Sequence, residues 1–186
     1  MHCMLQCRMR RIAAALTIFL GVSGGARPTA DNIPLTHAVA FDGHAVELPR
    51  DLPGTATVLV LGFTRSSEGA TTAWGTKVRR ELVRPPAIDA YAMPMLAEIP
   101  QFLRGLVIRS IRHKVPDIER PSFVPLTSDE DAWKQLAGFV PDASDAAYVL
   151  LVDRKGAVRW RTHAQCTAET FAQLSAEAQK VAGPPQ

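Results

Sequence analysis

A chain of 186 residues accommodates one domain of ordinary size together with a leader segment. Its formal net charge of +3 comes from the first residues, since positions 1–26 contain three arginines and no acidic residue. Subtracting those arginines leaves 18 basic against 18 acidic residues. This near-neutral balance gives no support for nucleic acid as a partner.

Residues 1–26 have the pattern of a signal peptide. Arginines precede an apolar stretch of 11 residues at 12–22. The small residues Gly24 and Ala26 suit cleavage after Ala26, and cleavage after Ala30 is the alternative. The apolar stretch is shorter than the roughly 20 residues that a membrane-spanning helix needs. We therefore expect export to the periplasm or beyond, with 27–36 as a linker. An apolar N-terminus without targeting function and an organelle presequence are the alternatives.

Cleavage of this leader would leave Cys166 alone, because Cys3 and Cys7 lie within it. An exported domain with one cysteine has no internal disulfide. We therefore expect a core of normal size to hold the domain together.

The first half of the domain is predicted to begin with a hairpin and a buried strand. Two short strands surround the turn Asp42–Gly43, and the unbroken apolar run 57–63 is typical of a strand covered on both faces. A helix over 68–83 follows, because Trp74, Val78 and Leu82 recur every four residues. A second buried strand over 87–96 must end near Pro94, since proline cannot donate to a ladder.

The second half is predicted to contain a helix at each end and a hairpin between them. The helix over 101–115 has a wide, diffuse apolar face. Residues 147–161 form an antiparallel hairpin around the turn Asp153–Gly156. Thr167 caps a closing helix that continues to about Val181, and the tail 183–186 is predicted to be disordered.

Three stretches resemble the thioredoxin-like superfamily: FDGHAVELPRDLPG, TVLVLGFTRSSEGA and YVLLVDRKGAVRW. The first is similar to the entry hairpin of redoxin and TlpA-type domains, the second to the central strand and active-site turn of redoxins and Sco copper chaperones, and the third to their terminal hairpin. This resemblance implies an α/β, thioredoxin-like fold over 37–182. It has a central mixed β-sheet flanked by helices, with an N-terminal β-hairpin.

The cysteine positions of that superfamily are empty in this chain. Aligned on the Sco pattern, Ser66 and Ala70 occupy them, and aligned on the peroxiredoxin pattern Ser67 occupies the peroxidatic one. Thiol chemistry requires a thiolate at the start of the first long helix. A serine hydroxyl cannot form a disulfide, and it needs a dedicated base to act as a nucleophile.

Two further family positions also differ. The residue that corresponds to the family's cis-proline is Ala147, where a cis bond would cost about 2.5–4 kcal/mol, so we expect a trans peptide and an altered groove. The position of the Sco copper-binding histidine falls near Asp145, which leaves copper binding in that mode unsupported.

The middle of the chain, YAMPMLAEIPQFLRGLVIRSIRHKVP, is similar to the mitochondrial ATP synthase assembly-chaperone family, as is LVDRKGAVRW. Members of that family have a thioredoxin-like fold without the active-site cysteines and a basic helix in this place. This resemblance implies a chaperone or assembly role for a membrane complex. An export signal would place that role outside the mitochondrial matrix.

The candidate partner-binding residues lie on the helix over 101–115, and they are Arg104, Arg109, Arg112, His113 and Lys114. Such a cluster can dock an acidic partner or anionic lipid headgroups, or it can simply be a solvated helix face. His37, His44 and His163 show no metal-ligand spacing, so we expect no metal and no cofactor. Trp74, Trp133 and Trp160 are interpreted as core anchors.

These observations favour a non-catalytic thioredoxin-fold binding module or assembly chaperone that acts outside the cytoplasm, with a membrane protein complex as a candidate client. One alternative is a divergent redoxin-type oxidoreductase that uses Cys166 as its single thiol. Cys166 directly precedes the cap of the last helix, where a thiol pKa can be lowered. The preferred interpretation of Cys166 is nevertheless a buried or merely unpaired thiol. A structural envelope component is a third reading.

Overall fold

A computed structural model describes residues 31–183, so the predicted signal peptide and residues 184–186 lie outside the described range. Within it the elements follow the predicted order, with one helix added. They are β1 (Thr36–Val39), β2 (Ala45–Leu48), β3 (Ala56–Gly62), α1 (Glu68–Glu81), β4 (Ile88–Pro94), α2 (Gln101–Lys114), α3 (Glu130–Ala137), β5 (Tyr148–Asp153), β6 (Val158–Thr162) and α4 (Ala168–Ala182). Strand β4 ends at Pro94, as expected for a residue without an N–H group.

The central sheet is mixed, in the order β4-β3-β5-β6. Strand β3 pairs in parallel with β4, where Leu59 lies opposite Tyr91, and antiparallel with β5, where Leu59 lies opposite Leu150. Every residue of β3 is buried, which confirms the central strand predicted from its apolar run. Strands β1 and β2 form a separate antiparallel hairpin.

The two faces of the sheet are covered by different elements, because side chains alternate along β3. Val58 and Val60 pack on one face, which is covered by α1 and α4. Leu59 and Leu61 pack on the other, which is covered by the β1–β2 hairpin and α3. The architecture is therefore a mixed sheet flanked by helices with an N-terminal hairpin, as the sequence predicts.

Part of the predicted linker belongs to the packed domain. Ile33 is buried, and its N–H donates to the Gly156 carbonyl at 2.9 Å. Gly156 has φ +80°, and a Cβ on it would lie 2.9 Å from Ile33 Cγ1 and 2.7 Å from Pro49 Cβ. The glycine of the β5–β6 turn thus provides both the turn conformation and the space that residues 31–36 occupy.

Helix α3 was not assigned from the sequence, although one of its residues was interpreted as a core anchor. Trp133 is fully buried, and its Nε1–H donates to Thr36 Oγ1 at 3.3 Å. Trp74 is buried as well, whereas Trp160 is only half-buried beside the α1–α4 core. None of the helices within residues 31–183 combines the length and apolar character that a membrane span requires.

The closing helix begins where its capping residue predicts. The Thr170 N–H donates to Thr167 Oγ1 at 3.2 Å, and the Thr167 N–H donates to Thr170 Oγ1 at 3.0 Å. This reciprocal capping box satisfies two backbone donors at the start of α4.

Candidate functional site

The segment predicted from the resemblance to correspond to the family's active-site turn, residues 64–67, connects the end of β3 to the start of α1; we call it the degenerate turn. Since β3 is parallel to β4 and antiparallel to β5, the turn lies at the edge of the sheet where β4 ends at Pro94 and β5 begins at Tyr148. Thr64 Oγ1 donates to the Ser144 carbonyl at 2.7 Å. This bond holds the turn against the loop that precedes β5.

Ser67 is buried, and its hydroxyl is committed to the backbone. Its Oγ donates to the Thr64 carbonyl at 2.7 Å, and although Ser67 is the N-cap residue of α1, its side chain makes no capping hydrogen bond. A peptide carbonyl is not a general base, so the hydroxyl is not activated for nucleophilic attack. Ser66 is exposed, and Ala70 packs on the α1–α4 core.

Gly62 allows α1 to start close against the end of β3. A Cβ at this position would lie 2.8 Å from Ser67 Oγ and 3.0 Å from Thr71 Cγ2, both tighter than ordinary side-chain contacts. The degenerate turn is therefore a closely packed structure and not a loose remnant.

An aromatic cluster lies behind the degenerate turn. The ring of Phe63 meets the rings of Phe139 and Tyr148 edge-on, at centroid distances of 5.1 and 5.3 Å. The exposed ring of His163 stacks on Tyr148 at 5.4 Å. Within residues 31–183 the cis peptide bonds precede Pro49 and Pro86, so the bond before Ala147 is trans, as its residue type predicts.

The five candidate residues on α2 do not form one patch. Arg104 donates from Nε to the Ile99 carbonyl at 2.7 Å and from Nη2 to the Ala97 carbonyl at 2.6 Å, so it fixes the start of its own helix. Lys114 Nζ lies 2.8 Å from Glu68 Oε1. Among the described residues, the exposed side chains of Arg109, Arg112 and His113 have no ion-pair partner; these three make up the remaining basic surface.

The Lys114–Glu68 pair connects the two candidate sites that the sequence left separate. Glu68 is the first residue of α1 and follows the degenerate turn directly. The hydrogen bond from Lys114, helped by the charge of Arg65, holds the pKa of Glu68 below its usual value. The basic end of α2 and the degenerate turn therefore belong to one continuous surface.

Cys166 lies away from the degenerate turn. It is half-buried against the α1–α4 core, and the nearest charges on α1 are Lys77 and Glu81. Lys77 follows Ser67 by ten residues, which is about 15 Å along a helix. Burial raises the pKa of the Cys166 thiol, the charge of Lys77 opposes that rise, and Glu81 adds to it. The lowered thiol pKa considered from the sequence is therefore wrong.

Two of the histidines considered as metal ligands, His44 and His37, lie close to carboxylates of their own hairpin. His44 Nδ1 lies 2.6 Å from Asp42 Oδ1, and His37 Nδ1 lies 3.9 Å from Glu47 Oε1. Across residues 31–183, His, Cys, Asp and Glu side chains do not gather in groups of three that could hold a metal ion.

Sequence reasoning missed an acidic recess that involves α3. It has a volume of about 520 Å³, and its lining includes Glu98, Asp129, Glu130 and Asp131 but no residue of the degenerate turn. Lys134 Nζ lies 2.6 Å from Glu98 Oε1 and 3.0 Å from Glu130 Oε1. Lys134 thus offsets part of the charge of these carboxylates.

No protein-family model matches the sequence, and no curated protein matches it significantly. Solved structures do match. A putative electron transfer protein from Aquifex aeolicus VF5 superposes with a TM-score of 0.57 at 15% identity, over 81% of this chain and 94% of that chain. BsSco, a member of the Sco family of cytochrome c oxidase assembly proteins, gives 0.55 at 13% identity, over 83% and 95%.

The exposed lipoprotein thioredoxin Etrx1 of Streptococcus pneumoniae strain TIGR4 gives a TM-score of 0.54 at 8% identity, over 77% of this chain and 99% of that chain. Identities this low carry information about the fold alone. The superpositions span nearly the whole length of each neighbour. The chain has a thioredoxin-like fold.

Proposed function

We propose that this chain is a non-catalytic thioredoxin-fold binding module or assembly chaperone, that it acts outside the cytoplasm, and that its client is a membrane protein complex. The observation that carries the proposal is the state of the degenerate turn. Its buried hydroxyl, on Ser67, is bonded to a carbonyl, and Cys166, the cysteine within residues 31–183, lies beside a different part of α1.

Order at the degenerate turn supports a binding role. The Thr64–Ser144 hydrogen bond, the close contact at Gly62 and the aromatic cluster around Phe63 all restrict this end of the sheet. A rigid surface loses little conformational entropy when a partner binds.

The proposed location rests on the leader pattern and on the neighbours. Arginines followed by a short apolar stretch are typical of an export signal. Among the structural neighbours, Etrx1 is described as an exposed lipoprotein, and BsSco belongs to a family of cytochrome c oxidase assembly proteins. Both descriptions agree with a role at a membrane complex outside the cytoplasm.

A photo-crosslinking amino acid at Ser66 tests the proposal in cells that produce the chain. Ser66 is exposed in the degenerate turn, and Gln173, exposed on α4, provides a matched control position. We expect the probe at 66 to couple to one membrane protein that the probe at 173 does not capture. Loss of the chain should then lower the amount of the assembled complex that contains this protein. Equal capture from both positions would contradict the proposal.

The enzymatic alternative makes a different prediction for Cys166. A monothiol enzyme needs the thiolate, which a raised pKa disfavours. We expect Cys166→Ser to restore complex assembly fully in cells that lack the chain. Failure of this variant at normal protein levels, together with loss of peroxide or disulfide reduction by the purified protein, would establish the redox function instead.

Thiol reactivity provides a direct measurement of the same difference. In a Cys3→Ser/Cys7→Ser background, Cys166 should react with iodoacetamide slowly and only as the pH exceeds about 8.5, the pKa of a free cysteine. A thiol placed by Ser66→Cys, with Cys166→Ser, should react faster at neutral pH because residue 66 is exposed at a helix start. Faster reaction of Cys166 would contradict the burial described here.

A further inference from the structure

Helix α2 is attached to the domain by one side and exposes the rest. None of its 14 residues is buried. The side facing the domain carries Val107, Ile108 and Ile111, all half-buried. On the opposite side Phe102 is 81% exposed and Leu106 is 63% exposed, and Leu103 beside them is 39% exposed. These apolar side chains contribute little to the fold.

The exposed side of α2 changes character along the helix axis. With 3.6 residues per turn, Phe102, Leu106, Arg109 and His113 lie within a stripe about 60° wide. The stripe is apolar in its first half and basic in its second half, where Arg112 lies beside it. The helix contains no acidic residue. We call this stripe, with Leu103 and Arg112, the outward face of α2.

The basic side chains of the outward face are available for an external partner. Among residues 31–183, Arg109, Arg112 and His113 make no ion pair, whereas Lys114 is occupied by Glu68 and Arg104 by two carbonyls. A cluster of like charges on one helix end creates a local positive potential. The partner must therefore offer negative charge next to an apolar region.

We propose that the outward face of α2 seats the domain on a membrane surface that carries anionic lipid headgroups. Such a surface presents phosphate groups directly above hydrocarbon. Along the stripe, the basic half would meet the phosphate groups and the apolar half would meet the hydrocarbon. Phenylalanine and leucine on an interfacial helix enter the region between headgroups and acyl chains, while arginines remain at the headgroups.

The shape of the face favours lipid over a protein partner. The exposed surface of the helix is convex, and the side chains of Phe102 and Leu106 project from it into solvent. A protein would need a matching apolar cleft with an acidic rim, whereas a fluid bilayer adapts to a protruding side chain. The apolar and the electrostatic contribution act together, which is the combination that makes surface attachment stable. Because Glu68 joins α2 to α1, this attachment would bring the degenerate turn near the membrane. The proposal does not depend on the function proposed for that turn.

The test uses the full-length chain with vesicles of phosphatidylcholine, with and without phosphatidylglycerol. A tryptophan introduced by Phe102→Trp should shift its emission to shorter wavelength and be quenched by brominated lipid, only when phosphatidylglycerol is present. The matched control Gln173→Trp on α4 should remain unquenched. Because the wild type already contains Trp74, Trp133 and Trp160, the emission and quenching of each variant are compared with those of the wild type. The difference reports on one position, so binding through the apolar stretch at 12–22 does not imitate the result.

Variants of both halves of the face complete the test. Arg109→Gln/Arg112→Gln should weaken the vesicle association reported at residue 102 about 25-fold, at roughly fivefold for each arginine. Leu106→Gln in the Phe102→Trp protein should weaken association by about tenfold or more. High salt should act on the Phe102→Trp protein as the arginine changes do.

Three results would overturn the proposal. One is an unquenched tryptophan at 102 in anionic vesicles. Another is a dimer in solution that Leu106→Gln dissolves, because a second copy would then cover the face. The third is specific coupling of a photo-crosslinker at 102 to a protein, with no lipid contact, which would make the face a protein-docking surface.

Discussion

Helices α1 and α2 have the same length of 14 residues and meet at the Lys114–Glu68 pair, yet they differ in what they bury. Helix α1 places Trp74, Gly75 and Val78 in the core. Helix α2 buries no residue, although its first half contains a phenylalanine and two leucines. Helix α1 is therefore part of the core, whereas α2 packs on the surface of the domain.

The difference shows that apolar content does not by itself identify a core helix. What matters is whether the apolar positions fall on the face that meets the sheet. In α1 they recur every four residues and face β3 and β4. In α2 they are spread around the axis, so half of them face water. Side chains that the fold does not use are available for binding, and the two helices should therefore respond differently to substitution.

The largest contrast is expected for the aromatic residues of the two helices. Trp74 is fully buried, and its Nε1–H donates to the Ala164 carbonyl at 3.1 Å. Trp74→Ala should lower the free energy of unfolding by about 3–5 kcal/mol through loss of packing and a cavity. Phe102→Ala on α2 should change it by less than about 0.5 kcal/mol. Urea unfolding of both variants measures the contrast, and equal costs would remove the distinction between the helices.

Glycines give the next contrast, with opposite signs. Gly62→Ala should destabilise the protein by about 1–3 kcal/mol, because the new methyl group meets Ser67 Oγ and Thr71 Cγ2. Gly105 lies inside α2 with no atom within 4 Å of its added Cβ. Gly105→Ala should therefore stabilise by about 0.5–1 kcal/mol through helix propensity. Thermal or urea unfolding measures both changes, and a stabilising Gly62→Ala would show that the degenerate turn is loosely packed.

Most of the fold could be predicted because its signals are local. The apolar run of β3, the four-residue period of α1, the turn at Asp153–Gly156 and the Thr167 cap each lie within a few consecutive residues. Helix α3 has no such signal. It is eight residues long, follows Asp129 in a left-handed conformation (φ 59°), and is held by Trp133 bonding to Thr36, 97 positions away in the chain.

The candidate site was predictable only in its residue types. The sequence shows that serine and alanine stand where cysteines are expected. It does not show that Ser67 bonds to a carbonyl, that Cys166 lies beside Lys77, or that Arg104 binds the loop before its own helix. Each of these facts depends on how distant segments pack, so residue types alone could not separate the five cations of α2 into engaged and available groups.

The pair that joins the two helices should contribute little and should depend on pH. Lys114 holds the pKa of Glu68 below the usual value of 4.5, so the folded state favours the ionised carboxylate. The pair's contribution is therefore complete above that value and is lost as the pH falls through the lower pKa of the folded state. Both side chains are more than half exposed, which limits the contribution to about 0.5 kcal/mol.

Unfolding of the wild type and Glu68→Gln at neutral and acidic pH checks this sign. The difference in the free energy of unfolding between the two proteins should disappear at low pH, where residue 68 is neutral in both. It should also disappear at high salt, where the ion pair is screened. Lys114→Gln should show the same loss at neutral pH. A difference that persists at low pH would assign the effect to packing at the helix start.

The smallest effect on stability is expected from the residues that matter most for the proposed membrane contact. Phe102→Gln/Leu106→Gln should change the free energy of unfolding by no more than about 0.5 kcal/mol, because both side chains are largely exposed and glutamine is a good helix former. Stability that is unchanged while vesicle binding is lost would separate the two roles of α2. A cost above about 2 kcal/mol would instead show that these side chains pack within the domain in solution.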